Sequence, residues 1–140
     1  MRQVGQDGLS LTFYKVDDFS GSIGNLHPGD VGYQAALQAR AYQLSSGGTS
    51  LNGPGYGQYG QSLLLHVNAG DLIATQLTNN SRGTVFSPFT AGNPDGVTHT
   101  WNYGANTMGW EDTFGGGDRD YNDVVVQIDP TSPYNHAYIV

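Results

Sequence analysis

Apolar residues alternate with polar ones in Leu9-Ser-Leu-Thr-Phe-Tyr-Lys-Val16, placing Leu9, Leu11 and Phe13 on one side, the two-residue period of a half-buried strand. Asp17 and Asp18 end it as a turn. Further on, Tyr33, Ala36 and Leu37 recur at three-to-four-residue spacing behind Asp30, which predicts one short helix over about 31–38 with Asp30 as its cap. The segment 39–44 fits either a continuation of that helix or a strand with Tyr42 and Leu44 on one face. Residues 62–67 and 72–77 read as two strands around the turn Asn68-Ala-Gly-Asp71. Strands over 84–89, 97–103, 106–110 and 124–128 follow, with Asn93-Pro-Asp-Gly96 as a strong turn signal between them. The stretch 45–61 is glycine-rich and reads as a long surface loop, since neither flank is large enough to be a domain of its own. After Asp129 no pattern is evident, and the tail reads as a linker.

About eight short strands with turn signals between them predict an all-β fold, a two-sheet sandwich or jelly roll with one short helix and acidic loops at one end. Composition agrees: 21 glycines and 11% aromatic residues, but a single glutamate and a single lysine, is poor in helix formers. At 140 residues the chain fits one domain over 1–140, with 129–140 as a possible tail. The net charge of −7 argues against nucleic acid and against anionic lipid. No apolar run has membrane-spanning length, and Met1-Arg-Gln3 does not open a signal peptide, so an excised module or a non-cleaved secretion route is expected. The absence of cysteine excludes disulfides and zinc-thiolate sites, and suits an extracellular domain stapled by ions.

The chemistry is concentrated late. Between positions 111 and 123 lie five of the twelve acids, Glu111, Asp112, Asp118, Asp120 and Asp123, with Arg119 as the one base among them. Hard oxygen donors without sulfur or an adjacent histidine favour Ca²⁺, which accepts six to eight oxygens at flexible geometry, over zinc. Asp118, Asp120 and Asn122 alternate as at the opening of an EF-hand loop, but no glycine and closing glutamate follow, and a strand rather than a helix leaves the loop. Enzyme signatures are lacking: there is no Gly-x-Ser-x-Gly, no His-Glu-x-x-His and no cysteine nucleophile, so a non-enzymatic role is expected. Arg119 cannot coordinate an ion and is expected to pair with a neighbouring carboxylate. The loop residues Tyr56, Gln58 and Tyr59, with Trp101 and Tyr103, are candidates for contacting a ligand, because loop tyrosines give adaptable contact area at low entropy cost.

The run Asn93-Pro-Asp-Gly96-x-x-His99, followed by Gly109-Trp-Glu-Asp112-x-x-Gly-Gly-Gly-Asp-Arg-Asp-Tyr-Asn-Asp123-Val-Val, resembles an uncharacterised-function domain of bacterial surface and secreted proteins that recurs in large repeats-in-toxin adhesins. It is also similar to the calcium-dependent peptide-binding module of such adhesins. The likeness covers about 85–128, with a looser echo in Pro28-Gly-Asp-x-Gly-Tyr33 and Ala35-Ala-Leu37; Thr113-Phe114 departs from it. The resemblance implies a calcium-loaded β-sandwich outside the cell, a module of a larger protein, with Glu111, Asp112, Asp118, Asp120, Asn122 and Asp123 as metal ligands and Asp95 as their neighbour. It implies recognition of a peptide, through its C-terminal carboxylate. The alternatives are a lectin binding sugar hydroxyls and a module that calcium merely rigidifies.

Overall fold

The computed structural model describes residues 1–60, 63–129 and 137–140, and builds them into two β-sheets and one short helix. Strands β1 (Arg2–Gln3), β6 (Thr100–Gly104), β7 (Thr107–Trp110) and β8 (Val124–Gln127) form one sheet in the order β1-β8-β7-β6, all antiparallel. Strands β2 (Leu9–Val16), β3 (Ser50–Asn52), β4 (Leu72–Asn79) and β5 (Thr84–Phe86) form the other in the order β3-β2-β4-β5, and β9 (Tyr138–Ile139) pairs parallel to β4. One hydrophobic cluster joins them. Leu9, Leu11 and Phe13 of β2, Ile73 and Leu77 of β4 and Phe86 of β5 meet Met108 and Trp110 of β7 and Val124 and Val126 of β8, the core of a sandwich.

Strand β2 is buried on both faces, apart from Lys15, rather than half-buried. Its second face carries Tyr14 and Val16 under the helix α1 (Tyr33–Ala39), whose Tyr33 and Leu37 complete a second cluster with Ile23 and Ala74. The helix is tied down by a reciprocal amide pair between Gln34 and Gln76 (2.9 and 2.8 Å). Asp30 does not cap it. Its Oδ2 accepts the His27 N–H (2.7 Å) in the preceding turn, and the cap position belongs to Gly32, whose φ of 91° suits a residue without a Cβ.

Three other expectations need correction. Residues 39–44 are neither helix nor strand throughout: α1 stops at Ala39, and Ala41 and Leu44 make single bridges to Tyr14 and Leu65. The apolar run before Asn68 is not a strand where it is described. Strand β4 has β2 along one side and β5 and β9 on the other, at Leu77–Asn79 and Leu72–Ile73, and Leu65 and Val67 pack on the core without a ladder while Leu64 stays exposed. The end of the chain is not merely a linker, since Tyr138 and Ile139 extend the second sheet; 130–136 lie outside the described residues. Among the described residues no helix is long and apolar enough to cross a membrane.

Candidate metal centre

Strand β7 delivers Trp110 into the core, fully buried, so the alternation of a strand turns its neighbours Gly109 and Glu111 to the outer face. Glu111 continues the ladder with an N–H to His99 carbonyl bond of 2.9 Å. It is nevertheless only 1% exposed, because the loop 112–123 folds back over that outer face. The Tyr121 N–H donates to Glu111 Oε1 (2.6 Å), and Gly117 comes so near that a Cβ there would stand 2.6 Å from Glu111 Oε2. At Gly109 a Cβ would run into the Tyr121 carbonyl and the Tyr103 ring, so this close crossing of loop over strand requires glycine.

The loop is tightly wound. Gly115, Gly116 and Gly117 all have positive φ, and so do Arg119 (61°) and Tyr121 (54°), a conformation that costs a side-chain-bearing residue about 1–2 kcal/mol. Asp120 Oδ1 accepts the Asn122 N–H (3.1 Å), Asn122 Nδ2 donates to Asp120 Oδ2, and the Asp120 carbonyl accepts from Tyr103 Oη (2.8 Å). The alternation of Asp118, Asp120 and Asn122 in sequence is thus a run of side-chain-to-backbone turns.

This winding brings carboxylate oxygens of Glu111, Asp118 and Asp120 within 4.8 Å of one another, with Glu111 buried beneath and the two aspartates exposed above. Among the described residues no ion pair involves any of the three, and Arg119 forms none either, contrary to expectation. Burial, reinforced by the charges of Asp123, Asp118 and Asp120, pushes Glu111 from 4.5 up to about 7 against the opposing Tyr121 N–H. Asp112 and Asp123 make a second acidic pair beside it. Asp123 Oδ2 accepts the Asp112 N–H (2.9 Å), and burial together with the Asp112 charge raises Asp123 to about 6. The chain after β1 closes over this pair: Val4 and Gly5 N–H groups donate to the Asp123 carbonyl (3.0 and 3.1 Å), and a Cβ on Gly5 would press on Asp112 Oδ2 at 2.9 Å. From the other sheet, the buried Asn79 Nδ2 donates to the Asp112 carbonyl (3.3 Å). No sequence pattern singles out Gly5 or Asn79 for this.

Asp95 stands apart from the three-carboxylate group. Its Oδ2 accepts from the Gly115 N–H (2.8 Å) and meets His99 Nε2 (2.9 Å), and its Oδ1 accepts the Val97 N–H (3.1 Å). Burial acts to raise its pKa, but these bonds outweigh that and hold it at about 2. Asp17, at the far end of β2 roughly 24 Å along the strand, is engaged by Arg40 and the Gly24 N–H.

The five ligand-contact candidates do not converge. Trp101 and Tyr103 lie on β6 at the loop's own edge of the sheet, both half-exposed, with Trp101 tilted against Tyr121 at 6.0 Å. Tyr56, Gln58 and Tyr59 lie at the opposite edge, where Gln58 and Tyr59 flank β1, three strand spacings or roughly 14 Å from β6.

An all-oxygen group of a buried glutamate and two exposed aspartates, with no base ion-paired to it among the described residues, has the donor chemistry of a hard divalent cation. Comparison with known proteins finds no similar curated protein and no similar solved structure. Residues 59–131, just over half the chain and including the whole acidic loop, match the family described as "Domain of unknown function (DUF4114)", and the chain belongs to that family.

Proposed function

We propose that the loop 111–123 binds Ca²⁺ and that the domain is a calcium-dependent binding module of a secreted or surface protein, with no enzymatic activity. The observation that carries this reading is the asymmetry of the carboxylate group, one buried member below and two exposed members above. An ion gripped from beneath by Glu111 and flanked by Asp118 and Asp120 has three of its six to eight oxygen positions supplied by carboxylates, leaving places for carbonyls, water and an incoming donor. Asp112 and Asp123 enlarge the negative field that draws the ion in, and Asn122 holds Asp120 in place through its backbone and side-chain amides.

The partner is an oxygen donor, and a peptide's C-terminal carboxylate is the stronger one because it brings charge that sugar hydroxyls lack. This choice also follows the resemblance to the peptide-binding module of repeats-in-toxin adhesins. Trp101 and Tyr103, beside the loop, are the aromatic surface that such a peptide would lie against; Tyr56, Gln58 and Tyr59 could touch only a longer ligand that spans the sheet. Immobilised peptides with free and amidated C-termini, probed beside a glycan array with and without chelator, test the reading. Binding that is calcium-dependent and lost on amidation is expected. Equal binding to amidated peptides removes the carboxylate, and chelator-resistant binding removes calcium-mediated recognition.

A further inference from the structure

The resemblance places Asp95 beside the metal ligands, but its geometry is that of a strut. The turn that carries it is rigid: Gly96 N–H bonds the Asn93 carbonyl (3.0 Å), and the buried Asn93 side chain in turn bonds Ser87 N–H (2.6 Å), the Ser87 carbonyl (3.1 Å) and the Val97 carbonyl (2.7 Å). His99 is fully buried and lies flat on Phe86, ring centroids 3.7 Å apart and 19° from parallel, so it cannot swing. A carbonyl oxygen only accepts, so His99 Nδ1 donates to the Glu111 carbonyl at 3.0 Å, while Nε2 meets Asp95 Oδ2 at 2.9 Å. The same Oδ2 holds the Gly115 N–H at 2.8 Å.

We infer that Asp95 and His99 are positioning residues for the calcium loop rather than calcium ligands: together they link the backbone of Glu111 to that of Gly115 through two buried side chains. The inference rests on the calcium reading above. Fixing both ends of the 111–115 turn, which is also closed by a Gly116 N–H to Thr113 carbonyl bond of 2.9 Å, sets where Glu111 points and where the glycines begin before any ion arrives. Outer partners of this kind typically change metal affinity by about 10–100-fold when removed, because they cut the reorganisation needed on binding.

Terbium, a luminescent stand-in for Ca²⁺, separates the two roles, since its lifetimes in H₂O and D₂O count the water molecules on the ion. The full chain, Asp95→Ala, Asp95→Asn and Asp120→Asn would be titrated with Tb³⁺, with thermal unfolding to establish that each variant folds. The expected result is about 10–100-fold weaker Tb³⁺ binding in both Asp95 variants with an unchanged water count, against a raised count in Asp120→Asn. In chelator, the Gly115 amide of the unsubstituted chain should already be protected from hydrogen exchange. A water count that rises by one or two in Asp95→Ala identifies Asp95 as a ligand and overturns the inference, as does unchanged affinity or an unprotected Gly115 amide in chelator. If the unsubstituted chain binds no Tb³⁺ at all, the calcium reading itself fails and takes this inference with it.

Discussion

Glu111 makes the ion-free protein sensitive to pH in an unusual direction. In the unfolded chain it ionises at about its ordinary value of 4.5, but in the ion-free fold only at about 7, so between those values the native state holds a proton that the unfolded state has lost. Stability therefore falls as pH rises through that window, the opposite of the usual behaviour of a salt-bridged carboxylate. The full difference corresponds to about 3 kcal/mol, most of which is lost between pH 5 and pH 8. For a domain of this size that is a fall of roughly 10 °C in Tm. Asp123, raised to about 6, adds to the same slope, while Asp95, held at about 2, is ionised throughout and does not affect it. Ca²⁺ reverses the sign of the argument: an ion beside Glu111 favours its carboxylate, and a ligand of the native state alone stabilises by RT ln(1 + [Ca²⁺]/Kd), about 2.7 kcal/mol at a hundredfold excess over Kd. The assay is thermal unfolding from pH 5 to pH 8, in chelator and in millimolar Ca²⁺, of the unsubstituted chain and Glu111→Gln. Tm in chelator should fall with pH, the fall should shrink in Glu111→Gln, and Ca²⁺ should restore Tm most at high pH. A Tm in chelator that is flat or rises across this range refutes the burial argument, and a Tm unmoved by Ca²⁺ refutes the ion.

Other outcomes follow from the same geometry. Asp120→Ala should weaken Ca²⁺ binding by about 100-fold or more, beyond the range of an outer partner, while Asp17→Ala, whose carboxylate serves Arg40 and Gly24, should leave Ca²⁺ affinity unchanged in a calorimetric titration. Gly109→Ala, by forcing the Tyr121 carbonyl off the strand, should cost about 1–3 kcal/mol in denaturant unfolding and weaken Ca²⁺ binding as well; an unchanged midpoint would show that the loop does not lie as described. Trp101 fluorescence should respond to Ca²⁺ through its contact with Tyr121, and a silent Trp101 in a chain that binds the ion would place the ion elsewhere.

What the chain's own residues determined is the fold class and where its acids crowd together. A glycine- and aromatic-rich composition with almost no glutamate or lysine excludes a helical protein, and the alternation in β2 and the apolar run after the Asn68–Asp71 turn specify β2 and the start of β4 to the residue. The acids at 111–123 are visible because like charges so crowded call for a counter-charge. The tertiary structure decided what local pattern could not carry. The apolar run ending at Val67 looks like a strand, but β2 runs along one side of β4 while β5 and β9 take up its other side at Leu77–Asn79 and Leu72–Ile73, so the run packs on the core instead. Tyr138 and Ile139 carry no pattern of their own, yet β4 provides them with a parallel partner. Asp95 and Asp118 are the same residue type in turns rich in glycine; only the placement of His99 and Gly115 around one, and of Glu111 beneath the other, separates a carboxylate spent on hydrogen bonds from a member of the three-carboxylate group. The aromatic candidates divide for the same reason, since Tyr59 and Trp101 end up on opposite edges of one sheet, and strand order is set by long-range pairing that no local window of sequence contains.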